Sequence, residues 1–247
     1  MCINQKRLTI QNIPSVLYGD SSESLFVHIH GKMGCKEEAA RVAESVCPKG
    51  YQVLSIDLPG HGERTGEMER FVPWEVVPEL QAVYAFAQKR WKKISLYANS
   101  IGAYFSLLAF QETKLEKSLF VSPILNMEKL IHDMMGWAGV TEEQLKQAGE
   151  IPTDFGETLS WKYLIYAEEH RIAKWDSPTS ILYAGQDHLT ARGTVDNFVR
   201  WFGCAVMVME NGEHWFHTKE QLAVLDAWLQ KETEQDRQYK EESFEES

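Results

Sequence analysis

The chain has 247 residues, 44% hydrophobic and 11% aromatic, enough for one sizeable domain that buries roughly 70–75% of the surface its unfolded form exposes. Its 36 Asp and Glu outnumber 25 Lys and Arg, for a formal charge of −11, which disfavours attraction to nucleic-acid phosphates or anionic lipid. No apolar stretch approaches the roughly 20 residues that span a bilayer, and the opening "MCINQKRLTI" lacks the apolar core of a signal peptide, so we expect a cytoplasmic protein with no nucleic-acid or membrane partner.

In chain order, "RLTIQNIPSVLYGD" reads as a hairpin, and strands follow at residues 25–30, 51–58, 93–99, 117–122, 179–185 and 204–210. Between them "CKEEAARVAESV", "PELQAVYAFAQKRW", "IGAYFSLLAFQE" and "GTVDNFVRWF" carry helical spacing of apolar residues, and "TKEQLAVLDAWLQ" reads as a last helix. This alternation predicts an α/β fold, a mainly parallel central sheet flanked by helices.

Two segments break the rhythm. Residues 124–176 are rich in Trp and Tyr and interrupted at Gly136, Gly139, Gly149, Pro152 and Gly156, which predicts a helical insertion between two late strands. Residues 231–247 are charged and lack apolar periodicity, and read as a tail. The division expected is therefore a core built from 1–123 and 177–230, an insertion at 124–176 and a tail at 231–247.

The cysteines Cys2, Cys35, Cys47 and Cys204 show no metal-binding spacing, so reduced thiols and no metal site are expected. The loop "DLPGHG" is glycine-rich, but G-x-G-x-x-G is absent after "VLSIDL" and no P-loop occurs. We read it as a structural loop in which Asp57 and His61 organise turns, and expect no cofactor.

One stretch carries chemistry. In "LYANSIGAYF" a strand-like run stops at Ser100 and a helix-like run begins. Ala98-Asn99-Ser100-Ile101-Gly102 fits the G-x-S-x-G nucleophile elbow with Ala in the first small position. Composition alone yields such a match in roughly one chain of this length in five or six; the strand before it and the helix after it are what the motif requires. Small residues flank the serine because the sharp turn crowds backbone against helix. The Ile101 N–H then opens a helix, where unsatisfied donors and the dipole favour negative charge.

A serine hydroxyl needs a base during attack, and eight histidines could supply it. With the elbow, the landmarks His30-Gly31, "DLPGHG" at 57–62, Gly185-Gln186-Asp187 and Glu213-His214-Trp215 follow the order of the α/β-hydrolase-fold serine hydrolases. From "HIHGKMG" to "ENGEHWFHT" the chain resembles a small bacterial-type esterase or a relative of the S33 peptidases.

The resemblance implies that His214, after a strand-like segment and before the last helix, is the base, that Asp187 is the acid orienting it, and that the backbone N–H of Lys32 joins that of Ile101 in an oxyanion hole. Some relatives carry the acid one strand earlier, where this chain reads "SPILNMEK" and Asn126 supplies no charge; Asp133 is a remote substitute. It further implies cleavage of a small-molecule acyl substrate, a carboxylic ester ahead of a thioester or amide. The position of 124–176 between two strands and its Trp and Tyr content predict a cap over Ser100, with Trp137, Trp161 and Tyr163 lining a pocket unless those rings only bury the cap. A cofactor-free haloperoxidase or perhydrolase and a non-catalytic ligand-binding protein remain as alternatives. Oligomeric state is not legible.

Overall fold

Strands β1 (Gln5–Ile10) and β2 (Ile13–Tyr18) form the expected hairpin, with Gln11 and Asn12 at φ 48° and 71° in its two-residue turn, the left-handed pair that matches strand twist. The chain then alternates through β3 (Ser24–Ile29), α1 (Ala39–Val46), β4 (Gln52–Ile56), α2 (Pro73–Gln88), β5 (Lys93–Asn99), α3 (Ile101–Phe110) and β6 (Ser118–Val121). Helices α4 (Met127–Ala138) and α5 (Glu142–Ala148), short strands β7 (Glu150–Pro152) and β8 (Thr158–Ser160), and α6 (Trp161–Glu169) precede β9 (Thr179–Ala184). The order ends with α7 (Arg192–Phe202), β10 (Ala205–Met209) and α8 (Lys219–Glu245). The structure, a computed structural model, describes residues 3–245, with side chains described for residues 3–234.

Eight strands make one sheet in the order β1-β2-β4-β3-β5-β6-β9-β10, antiparallel only where β2 meets β1 and β4. The parallel strands thus end on one edge, the usual place for a site in such sheets. Strand β3 alternates between two cores: Leu25, Val27 and Ile29 pack with Val76 and Leu80 of α2, Phe105 of α3 and Phe198 of α7, whereas Phe26 packs with Val42 of α1 and Leu225, Trp228 and Leu229 of α8. Helices on both faces explain why the central strands are continuous apolar runs. Helix α3 is buried from Gly102 through Phe110, so the elbow stands on the most enclosed helix.

Three expectations need correction. Helix α2 starts at Pro73, not Pro78; Pro73 takes the first-turn position in which its missing N–H costs nothing, and Val76 and Leu80 reach the core from either side of Pro78. The insertion is not wholly helical: β7 and β8 pair antiparallel about a turn in which Thr153 Oγ1 donates to Glu157 O at 2.7 Å. Finally, the charged segment after Gln230 continues α8 to Glu245. Thr233 is fully buried, donating to Leu229 O (2.6 Å) and accepting from Lys49 Nζ (2.7 Å), so residues 231–234 belong to the packed domain. Residues 246 and 247 of the expected tail lie outside the described residues.

Cys35, Cys47 and Cys204 are free thiols, and Cys2 lies outside the described residues. Among the described residues no group of three or more His, Cys, Asp or Glu is arranged to hold a metal ion, and no helix is long and apolar enough to cross a membrane.

Strand β3 carries two histidines that make folding pH-dependent. His28 stacks on Tyr97 at 5.3 Å with Nδ1 2.9 Å from Ser55 Oγ. Burial pushes its imidazole down from 6.5 to about 3 and that of His30 to about 4. The unfolded chain therefore binds these protons at a pH where the folded chain does not. Their contribution is fully present above pH 6.5 and is lost as pH falls toward 4 and then 3. Near pH 5, replacing His28 by Gln should lower the slope of unfolding free energy against pH by about one proton, or about 1.4 kcal/mol per pH unit. Denaturant unfolding over a pH series measures this, and an unchanged slope refutes the assignment.

Candidate active site

Strand β5 ends at Asn99 and α3 begins at Ile101, leaving Ser100 alone to turn the chain. It does so at φ 49° and ψ −122°, a conformation that costs a non-glycine residue about 1–3 kcal/mol and persists only where the surroundings enforce it. Here Ser100 N–H donates to Val121 O (3.0 Å), and its carbonyl accepts from Ala103 N–H (3.1 Å) and Ile124 N–H (3.0 Å). Gly102 meets the steric demand read from the motif: a Cβ there would lie 2.4 Å from His30 O and 2.8 Å from Ile29 O.

The loops after β9 and β10 bring their side chains to this turn. His214 Nε2 lies 2.8 Å from Ser100 Oγ, and His214 Nδ1 lies 2.8 Å from Asp187 Oδ2. With a carboxylate at Nδ1, that nitrogen carries the proton and Nε2 accepts from the serine O–H. Asp187 and His214 side chains are 0% and 4% exposed, so the pairing operates in low dielectric. The other carboxylate oxygen accepts from the Leu189 N–H (2.8 Å) and Thr190 N–H (3.0 Å). Thr190 is itself anchored, donating Oγ1–H to Pro123 O (2.9 Å) and accepting Tyr183 O–H at its carbonyl (2.8 Å). Gln186 N–H donates to Gly212 O (2.9 Å), tying the aspartate loop to the histidine loop.

The other positions considered for the acid have separate partners. Asn126 caps α4 by accepting from Lys129 N–H (2.9 Å), and Asp133 pairs with Lys129 Nζ (2.7 Å).

The loop after β3 is held by two histidines: His61, read from the sequence as organising a turn, and His30, whose part in it the sequence did not reveal. His30 bridges Gly31 O (Nδ1, 2.7 Å) and the Leu58 N–H (Nε2, 3.1 Å); His61 bridges Pro59 O (Nδ1, 2.7 Å) and the Met33 N–H (Nε2, 2.9 Å). The N–H groups of Lys32, between the anchored Gly31 and Met33, and of Ile101, at the start of α3, have no acceptor among the described residues. Asp57 and His61 thus act on loop geometry, as read from "DLPGHG". Asp57 accepts from the Lys36 N–H (2.9 Å), Lys36 Nζ (2.6 Å) and the Glu63 N–H (3.0 Å). Burial pushes its carboxyl up, but these hydrogen bonds outweigh it and hold it below the ordinary value. A Cβ at Gly62, φ 53°, would lie 2.1 Å from the Asp57 carboxylate.

The insertion meets this loop where Lys32 Nζ pairs with Glu157 at 2.5 Å. Its three singled-out rings have separate partners. Trp137 is 52% exposed and packs edge-on against Phe155 at 5.9 Å, Trp161 has Lys146 Nζ 5.6 Å above it, and Tyr163 packs against Trp74 at 5.9 Å.

A family model described as serine aminopeptidase, S33 matches residues 20–161, more than half of the chain. No curated protein matches the sequence. Among solved structures, Est1E from Butyrivibrio proteoclasticus with ferulic acid bound superposes with a TM-score of 0.72 at 20% identity, over 92% of this chain and 96% of that one. Mouse alpha/beta hydrolase domain-containing protein 10 gives 0.74 at 13% identity over 92% and 96%. Esterase Pf2001 from Pyrococcus furiosus gives 0.61 at 16% identity over 93% and 92%. At these identities the superpositions show a shared fold.

Proposed function

Because the chain belongs to the serine aminopeptidase, S33 family of α/β-hydrolase enzymes, we propose that it is a serine hydrolase that cleaves carboxylic esters through Ser100, His214 and Asp187. The observation that carries this reading is the unbroken hydrogen-bonded chain from Ser100 Oγ through both His214 nitrogens to Asp187, 2.8 Å at each link.

Ser100 Oγ attacks the ester carbonyl while His214 Nε2 takes its proton, and Asp187 offsets the imidazolium charge through Nδ1. The Ile101 and Lys32 N–H groups receive the developing oxyanion, aided by the α3 N-terminus. The tetrahedral intermediate collapses to the Ser100 acyl ester as the alkoxide leaves with the proton from His214. Water then attacks that ester by the same route, which releases the acid and restores the serine.

Esters are favoured over aminoacyl substrates because an aminopeptidase must also hold a substrate ammonium. Glu157, the acid that the insertion brings to the oxyanion loop, is already engaged by Lys32. The names of Est1E, with its bound ferulic acid, and of the Pyrococcus esterase point the same way. We read the insertion as a cap because it reaches that loop. A fluorophosphonate probe with mass-spectrometric mapping should label Ser100 alone. Labelling elsewhere, or none in folded protein, ends this reading.

A further inference from the structure

We infer that His61 and His30 are positioning residues that grip the two peptide groups flanking Lys32 and so aim its N–H at the oxyanion. A peptide group is planar, so holding its carbonyl or its N–H fixes the direction of both. His30 Nδ1 lies 2.7 Å from Gly31 O, on the peptide group that also carries the Lys32 N–H. His61 Nε2 lies 2.9 Å from the next amide, the Met33 N–H. Lys32 therefore sits between two planes, each pinned by an imidazole.

The hydrogen bonds admit one proton arrangement. Each ring has a carbonyl oxygen at Nδ1, Gly31 O for His30 and Pro59 O for His61, and a backbone N–H at Nε2, from Leu58 and from Met33. A carbonyl only accepts and an N–H only donates, so each imidazole carries its proton on Nδ1 alone. Burial, which pushes the His30 imidazole down to about 4, keeps that ring in this form. The loop needs the grip because its turn is strained. Gly34 N–H donates to Gly31 O (3.2 Å), closing a turn whose second central residue, Met33, stands at φ 67°. A side chain persists in that conformation only where its surroundings enforce it.

The gripped peptide lies against the serine. A Cβ on Gly31 would stand 3.2 Å from Ser100 Cβ, so the plane that carries the Lys32 N–H starts beside the nucleophile. The His30 and His61 rings are almost wholly buried, with centroids 5.2 Å apart. His61 packs on Phe71 at 4.6 Å, and Phe71 packs edge-on against Phe105 of α3 at 5.4 Å. Helix α3 opens with Ile101, the other proposed donor, so both N–H groups are held to one scaffold.

This role rests on ester hydrolysis at Ser100, and a crossed set of variants separates it from that reading. An Asn side chain places its polar atoms where Nδ1 stands, and Gln places them where Nε2 stands. At position 61 the loop is gripped from Nε2, so with 4-nitrophenyl butyrate His61→Asn should lower kcat about 10–100-fold, short of the full loss of a donor. His61→Gln, which still accepts from Met33 N–H, should stay within about fivefold of wild type. At position 30 the grip is from Nδ1, so the order reverses, with His30→Asn the more active. KM should move by no more than about threefold throughout. The inhibitor 1,1,1-trifluorooctan-2-one adds to Ser100 Oγ as the serine proton passes to His214, leaving an oxyanion in the hole. Its Ki should rise in proportion to the fall in kcat/KM. A purely structural role predicts losses that follow thermal stability at both positions. Equal Asn and Gln variants, or the same order at both positions, overturn the clamp; if a His30 variant does not fold, the order at 61 decides. In wild type with ¹⁵N-labelled methionine, the exposed Met33 amide should exchange at least about tenfold more slowly than an unbonded one. An unprotected Met33 amide overturns the clamp whatever the turnover. A protein that protects Met33 and binds the ketone with the crossed order, yet hydrolyses no ester, upholds the clamp and removes the esterase reading.

Discussion

Ser100→Ala should leave the fold intact and lower ester turnover by roughly 10⁴–10⁶-fold. The side chain makes one hydrogen bond, to His214 Nε2, whereas the turn is held through the backbone of Ser100 by Val121, Ala103 and Ile124. Alanine keeps a Cβ, so the backbone strain is unchanged, while the nucleophile and acyl-enzyme route disappear. His214→Ala should be about as damaging, and its addition to Ser100→Ala should cost little more, because neither group works without the other. Steady-state kinetics on the two single variants and the double variant, with circular dichroism to verify folding, measure this. Losses that multiply in the double variant show that the two do not act as a unit.

The elbow was legible because its constraints are local. A β-rich run ending at Asn99, small residues at Ala98 and Gly102, and an apolar helix from Ile101 all lie within a dozen residues, and the 2.4 Å approach of a Gly102 Cβ to His30 O explains one of the small positions. The resemblance then led to Asp187, which the fold brings to His214. What escaped depends on contacts between segments far apart in sequence. His30 caps the Leu58 N–H from 28 residues away, and Thr190 reaches Pro123 across 67; periodicity encodes neither. The β7–β8 hairpin has three-residue strands, too short for alternation to register against neighbouring helical patterns. The tail reading failed at Thr233 for a related reason. A threonine among charges looks solvated, yet the Leu229 carbonyl and Lys49 satisfy its hydroxyl in a buried position.

That long-range scaffold underlies the second large effect. Asp187→Asn should lower turnover by about 10³–10⁴-fold with little change in folding. The backbone bonds from Leu189 and Thr190 to Oδ1 can be accepted equally by an amide oxygen, so the loop should keep its shape. With that oxygen so occupied, the amide NH₂ faces His214 Nδ1 in place of Oδ2, and a donor there requires Nδ1 to become the acceptor. The imidazole proton then moves to Nε2, which points at Ser100 Oγ and can no longer accept the serine proton. The imidazolium of the transition state also loses its carboxylate partner in a site where both side chains are almost wholly enclosed, and low dielectric enlarges that loss. Asp187→Ala should destabilise the loop as well, because the Leu189 and Thr190 N–H groups then lack their acceptor. Comparing the two variants in turnover and thermal unfolding separates orientation of the base from support of the loop. Near-normal turnover in a folded Asp187→Asn protein would transfer the orienting role to another acid, with Asp133 the first to replace.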